Sequence, residues 1–316
     1  MRRALAAEFA SLARVIVTLD PRLPPDAGDW ESVAVDSTDQ LEALAGRADF
    51  TLLIAPESSG VLEALTRRLD RAGCRLLGSK ADAVALTADK AALGERFTDR
   101  GVPTPRSRVL EPGEALPDDA PYPAVVKPLD GAGTLDTFRV EGPADSCRLP
   151  PAQGRRLVQE FIPGVAMSAT FLVRDDGRSR LVAIGEQRME LRDGRFSYLG
   201  GTVAVSCPEA APIVSRAVQS VDGLRGLVGV DFIWDAARRL ATVLEINPRP
   251  TTSCVGILRH LPPGELAGAW LDETSRADEW DAAIDRIAGR IAIAGPVAFD
   301  ASGTTWRPVE GEERSR

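Results

Sequence analysis

Residues 228–247 read VGVDFIWDAARRLATVLEIN, two apolar runs, VGVDFIW and ATVLEIN, on either side of a short polar turn. Runs of this length, rich in β-branched and aromatic residues and joined by a turn, predict a β-hairpin. Side chains alternate across a strand, so Asp231 shares a face with Gly229, and Glu245 shares one with Asn247. Val230, Phe232, Leu244 and Ile246 point the other way. A five-residue connection sets Asp231 opposite Val243 with Glu245 diagonal to it, neighbours at roughly 5–8 Å on one face. A one-residue slip would break this arrangement. Two carboxylates and an amide oxygen on one face suit magnesium, or manganese, hard cations that complete an oxygen shell with water and phosphates. The competing reading is a salt-bridged polar sheet face.

Upstream, VVKPLDGAGT (125–134) is a strand that delivers Lys127, followed by a glycine-rich loop. Small residues let backbone N–H groups approach phosphate oxygens closely. The order differs from the Walker pattern, whose lysine follows its glycines, and a plain hairpin turn is the alternative. Next, LVQEFIPG (157–164) is an apolar strand carrying Gln159 and Glu160 into a Pro163-Gly164 turn. Exposed backbone there can pair with the edge of a base ring; an ordinary strand end is the alternative.

The chain before these segments alternates strand-like and helix-like runs: a helix over 1–13, strands at 14–20, 50–57 and 74–78, and helices at 38–47 and 58–73. The helix at 58–73 has Ser58 as its candidate cap. That alternation predicts a parallel α/β unit over residues 1–80. A helix over 81–101 and a Pro-rich connection lead into a second unit, 81–162. A third, 163–316, holds mostly β runs over 155–206, a helix over 211–226, the hairpin, and a helical region over 260–292. There Leu266, Trp270, Trp280, Ile284, Ile287 and Ile291 are spaced for burial.

The 316 residues are 44% apolar and 27% charged, with a net charge of −8. An acidic chain lacks the basic footprint that nucleic acid requires. No apolar run approaches the ~20 residues of a membrane helix, so no membrane association is expected. Glu8 and Arg14 interrupt the N-terminal segment, which reads as an amphipathic helix, not a signal peptide. The four cysteines, Cys74, Cys147, Cys207 and Cys254, lie far apart without metal-ligand spacing and are expected to be small buried groups. Unpaired thiols fit a reducing cytoplasm.

Taken in order, LTADK (86–90), VVKP, GAGT, QEFIPG, GVDFIWD and EINPRP resemble the ATP-grasp superfamily over about residues 80–255. The resemblance implies an α/β and α+β architecture: a parallel α/β pre-grasp domain, then two subdomains that clamp ATP. It implies that Lys90 and Lys127 contact phosphates and that Gly131, Ala132, Gly133 and Thr134 form a mobile loop over them. Glu160 would approach the adenine amino group, with the backbone of Phe161 and Ile162 at the ring edge. Asp231, Glu245 and Asn247 would hold the metal, and Arg249 would steady an acyl phosphate or carboxylate. Two departures stand out. Many members bind ribose with an acid two positions after the hinge glycine, where this chain has Ala166; and the chain opens on a helix where a strand usually leads, a matter of start-site choice.

The implied activity is ATP-dependent joining of a small-molecule carboxylate to an amine through an acyl phosphate. Layout and the segment EINPRPTTS resemble the tyramine–glutamate ligase branch, which serves methanofuran-type cofactor synthesis. Another amino-acid or dipeptide ligase, and a non-catalytic ATP-binding regulator, remain alternatives. Substrate contacts are sought at 185–202, in Arg188, Arg192, Tyr198 and a Gly200-Gly201 turn. A homodimer is the default assembly. A Rossmann oxidoreductase is disfavoured, because residues 14–30 hold no glycine-rich turn after the first strand.

Overall fold

The computed structural model describes residues 1–309 apart from Asp26, Ala132 and Gln153. The first eighty residues contain α1 (Arg2–Ala10), β1 (Ile16–Leu19), β2 (Glu31–Ala34), α2 (Thr38–Ala45) and α3 (Val61–Arg71), of which α1 packs with the C-terminal helices and not with the strands that follow it. β1 and β2 pair in parallel, Ile16 opposite Glu31. The expected strands at 50–57 and 74–78 do not form a ladder; they meet in one parallel bridge between Thr51 and Leu76. Their apolar residues Leu53 and Leu76 instead pack against Ala45, Leu69 and Cys74. Nor does Ser58 cap α3. Ser58–Gly60 forms a short 3₁₀ turn, and Gly60, left-handed at φ 68°, opens the helix without a side-chain cap.

The helix expected over 81–101 divides into α4 (Ala81–Ala88) and α5 (Lys90–Asp99). Asp89 between them is extended, and its carboxylate accepts the N–H groups of Ala91 and Ala92, both at 3.0 Å. An aspartate accepting from the open first turn is the standard way to restart a helix. The restart makes Lys90 the first residue of α5.

The next strands are β3 (Ser107–Leu110), β4 (Ala124–Pro128), β5 (Phe138–Val140), β6 (Arg156–Glu160), β7 (Val165–Val173), β8 (Ser179–Arg192) and β9 (Arg195–Val203). After α6 (Ala211–Gln219) come β10 (Gly226–Asp235) and β11 (Leu240–Asn247). All join one antiparallel sheet in the order β11-β10-β7-β8-β9-β5-β4-β6-β3. Its two halves meet, among the described residues, through a single strand pair, Phe138 opposite Arg195. On the small half, Val126, Val140 and Val158 point into a core with Leu110 and Leu116. Alternation therefore turns Lys127 and Gln159 to the opposite face. On the large half, Val228, Val230, Phe232 and Ile246 pack against Leu93 and Phe97 of α5 and Val214 and Val218 of α6. The same alternation turns Asp231, Glu245 and Asn247 away from that core.

The C-terminal region, expected as helix over 260–292, breaks into α7 (Ser253–Leu258), α8 (Glu265–Leu271) and α9 (Ala277–Ala294), and α6 stops seven residues short of 226. The six large residues expected to be buried there are at most 9% exposed. Strands β12 (Val297–Asp300) and β13 (Trp306–Pro308) were not expected. β12 adds to β9, with Phe299 opposite Gly201 and Asp300 opposite Gly200. Gly200 permits this: its φ is 119°, and a Cβ there would lie 2.0 Å from the Phe299 carbonyl oxygen. Cys74, Cys207 and Cys254 are buried as expected, whereas Cys147 is exposed, on a 3₁₀ turn at 143–148 outside the cores. Among the described residues no helix is long and apolar enough to cross a membrane.

Glu8 explains how α1 attaches. It is 5% exposed, and its carboxylate accepts N–H bonds from Gly264, Leu266 and Ala267 at 3.0, 2.9 and 2.9 Å. These belong to the unpaired donors at the start of α8. Glu8→Ala strands them in a buried junction and is expected to destabilise the protein by ~2–3 kcal/mol. Urea unfolding should show a lowered midpoint with an unchanged slope.

Candidate active site

The hairpin β10–β11 sets the centre of the site. Asp231 lies directly opposite Glu245 and Gly229 opposite Asn247, while Phe232 pairs with Val243. A bulge between Asp231 and Phe232 absorbs Leu244, and Asp235 pairs with Leu240 around a four-residue turn. The register thus differs by two from the expected Asp231–Val243 pairing. At the site end a shift of two keeps Asp231, Glu245 and Asn247 on one face, so the three still converge; beyond the bulge the shift is one, and Val243 turns to the core beside Phe232. Asn247 Nδ2 donates to Asp231 Oδ2, and Gln187 Nε2 from β8 donates to Asp231 Oδ1, each at 3.0 Å.

Two partly buried carboxylates across one strand pair repel each other. Burial, then the charge of Glu245, pushes the Asp231 carboxyl up to about 7, against the bonds from Asn247 and Ser168 and the charge of Lys127. Burial also opposes ionisation of Glu245, but Lys90 and Lys127, with help from Arg249, overcome it and hold that carboxyl below its usual range. Lys90 Nζ stands 3.6 Å from Glu245 Oε2 and also donates to the carbonyl oxygen of Gly131. Lys127, 9% exposed, has its ammonium pulled down to about 8 by burial; Glu245 and Asp231 oppose this and Lys90 adds to it. The donor set fits a hard divalent cation. It offers carboxylate and amide oxygens, and Asp231 pays an ionisation cost that a cation would remove. Among the described residues no three His, Cys, Asp or Glu gather for a metal. An ion held by Asp231, Glu245 and Asn247 therefore needs further oxygens from water or phosphate.

The glycine-rich loop starts beside these lysines. Thr134 Oγ1 accepts the backbone N–H of Tyr198 on β9 at 3.2 Å, and Gly133 is left-handed at φ 67°. Ala132 lies outside the described residues. Asp130, just before the loop, accepts the N–H of Ser59 at 3.0 Å. At the hinge, Glu160 pairs with Arg106 at 3.1 Å. The Phe161 N–H donates to Pro123 O at 3.0 Å. Arg139 lies over the Phe161 ring, 4.4 Å from its centroid. Ala166 is opposite Ile233 in the sheet and supplies no acid.

The expected substrate residues are scattered differently. Gly200 and Gly201 do not form a turn; they lie within β9, between β8 and β12. Arg188 is exposed and donates to the Leu199 carbonyl at 2.8 Å. Tyr198 sits close enough to Asp231 that burial and that charge push its phenol above its ordinary value. Arg249 pairs with Glu57 at 2.8 Å. Gln187, Glu57 and Asp89 are site neighbours that sequence reading missed. Gln187 and Glu57 reach the site through long-range pairing, which leaves no local signal; Asp89 has one, as an aspartate four residues before the apolar Leu93 of a helical run.

Residues 87–253, more than half of the chain, match the ATP-grasp domain family, and residues 13–84 match the pre ATP-grasp 3 domain family. A tyramine–L-glutamate ligase from Methanocaldococcus fervens is 27% identical over 70% of this chain. The match spans 65% of that relative, so the chain covers less than two thirds of its length. A D-alanine–D-alanine ligase from Oleidesulfovibrio alaskensis is 28% identical over 64% of this chain and 68% of its own. Among solved structures, an ATP-grasp superfamily protein from Archaeoglobus fulgidus superposes with a TM-score of 0.55 at 25% identity, covering 82% of this chain and 76% of the other.

The Asp231 shift has a definite sign. Its folded pKa lies above the unfolded value, so its protonation stabilises the fold below about pH 4 and that contribution is lost as pH rises toward 7. Asp231→Asn cannot ionise. In a chelator, it is expected to be more stable than the parent by ~1–2 kcal/mol at pH 8, with the two converging near pH 4. Urea unfolding at several pH values reads the difference.

Proposed function

The chain belongs to the ATP-grasp family, and on that premise we propose that it is an ATP-dependent ligase joining a carboxylate to an amine through an acyl phosphate. The observation that carries the reading is the convergence of Lys90, Lys127, Asp231, Glu245 and Asn247 beside a glycine-rich loop. Lys127 is a fixed, dehydrated cation suited to phosphate oxygens, and triphosphate binding would restore its full charge. Lys90 leaves Glu245 to take up the same role. A magnesium ion held by Asp231, Glu245 and Asn247 would neutralise charge developing on the transferred phosphoryl group. The loop 131–134 excludes water from an acyl phosphate that water would otherwise hydrolyse. Arg249 steadies the oxyanion as an amine attacks the acyl carbon and phosphate leaves. Glu160 and the Phe161–Ile162 backbone receive the adenine.

The tyramine–L-glutamate ligase similarity supports an amino-acid carboxylate with an aryl-ethylamine as the first pair to test, within methanofuran-type cofactor synthesis. The D-alanine–D-alanine ligase similarity supports a second reading, in which both partners are amino acids.

A screen for ADP release across amino acids and amines, with tyramine, glutamate and D-alanine among them, tests both readings. ADP formed only when a carboxylate and an amine are both present is the expected result; none with any pair points to the nucleotide-binding regulator instead. Asp231→Ala and Glu245→Ala should keep the fold and lose turnover ~100-fold or more, since a metal ligand contributes several kcal/mol at the transition state. Calorimetry with a non-hydrolysable ATP analogue should show Lys127→Ala binding nucleotide more weakly.

A further inference from the structure

We infer that Glu57, from the first unit of the chain, is a positioning residue of the ligation site that holds the Arg249 guanidinium in its working orientation; this rests on the role proposed for Arg249 above. The two residues are 192 positions apart, and their side chains are 8% and 17% exposed. Glu57 Oε2 accepts from a terminal nitrogen of Arg249 at 2.8 Å, and the other terminal nitrogen has a longer contact, 3.3 Å, to the Pro250 carbonyl. Glu57 is thus the strong anchor of this guanidinium.

The pair is poorly made for stability alone. Glu57 Oε1 and Arg249 Nε are buried without a hydrogen-bond partner, and each such omission is destabilising. Apolar residues of similar volume often serve a buried position as well as an ion pair does. What the pair does supply is a cation fixed two residues beyond Asn247, where β11 ends.

The backbone after Glu57 carries a second sign of constraint. Ser59, a non-glycine residue, is left-handed at φ 57°, and Gly60 follows at φ 68°. Backbone strain of this kind persists where surrounding structure demands it. The demand here is visible: the Ser59 N–H bonds Asp130 at the start of the glycine-rich loop. One short segment, Glu57 to Ser59, therefore contacts both Asp130 at the start of the loop and Arg249.

The test compares Glu57→Gln, Arg249→Ala and the double variant in the full chain. Glu57→Gln should lower kcat ~10–100-fold, the cost of misplacing a group by about an ångström, with KM for ATP within about twofold. In the Arg249→Ala background it should change kcat no further. Binding of inorganic phosphate in the presence of ADP and magnesium, read by calorimetry, needs no turnover; it should weaken ~10-fold in Glu57→Gln and, again, not further in the double variant. Glu57→Asp, which keeps the charge and shortens the reach, should show a smaller loss and serves if Glu57→Gln does not fold. Parental kcat and phosphate affinity in the Glu57 variants, or losses that multiply in the double variant, would overturn the inference. Absence of turnover in the parent protein defeats the ligase reading instead, and the phosphate measurement still decides the role of Glu57.

Discussion

Two carboxylates, Asp231 and Glu245, stand directly opposite each other on one antiparallel strand pair. Their mutual repulsion, at a partly buried position where water screens it less than at the surface, organises what surrounds them. Lys90 and Lys127 supply opposing charge to Glu245, and Gln187 and Asn247 donate to Asp231. Even so, Asp231 remains hard to ionise. Glu245 is balanced by the lysines, so the charge that a bound cation would favour is that of Asp231, whose ionisation burial and Glu245 oppose.

The fold brings cations to this pair by three separate devices. Lys127 arrives by strand alternation, because Val126 and Val158 commit the other face of the small sheet to its core. Lys90 arrives by helix restart, because Asp89 accepts the first N–H groups of α5. Arg249 arrives by a turn after β11 and is held from the first unit by Glu57. The junction between the sheet halves is narrow, among the described residues one strand pair between β5 and β9. Few ladder bonds across that junction oppose a change of angle between the halves, which suits a clamp that must admit and release a nucleotide.

Similarity at 27–28% identity reaches ligases that are named for different substrates, and the matched ATP-grasp domain family covers residues 87–253. Substrate choice resides in connections and exposed strand ends, where this chain is free to differ.

Local pattern determined a good deal. Period-two alternation put Asp231, Glu245 and Asn247 on one face and Lys127 on a site face, and the apolar spacing of α9 marked Trp280, Ile284, Ile287 and Ile291 for burial. These follow from chain geometry that every strand or helix shares. Tertiary structure decided the rest. The bulge at Asp231 reset the register, because the length of a turn cannot reveal a residue absorbed within the strand. The apolar runs at 50–57 and 74–78 were spent on packing, not on a ladder, because hydrophobicity reports burial and not hydrogen-bond partners. Gly200 and Gly201 turned out to admit β12, a strand about a hundred residues later. Gln187 and Glu57 came to the site across strands and units far from it in the chain. Contacts between distant residues depend on how whole elements pack, and no local sequence period encodes that.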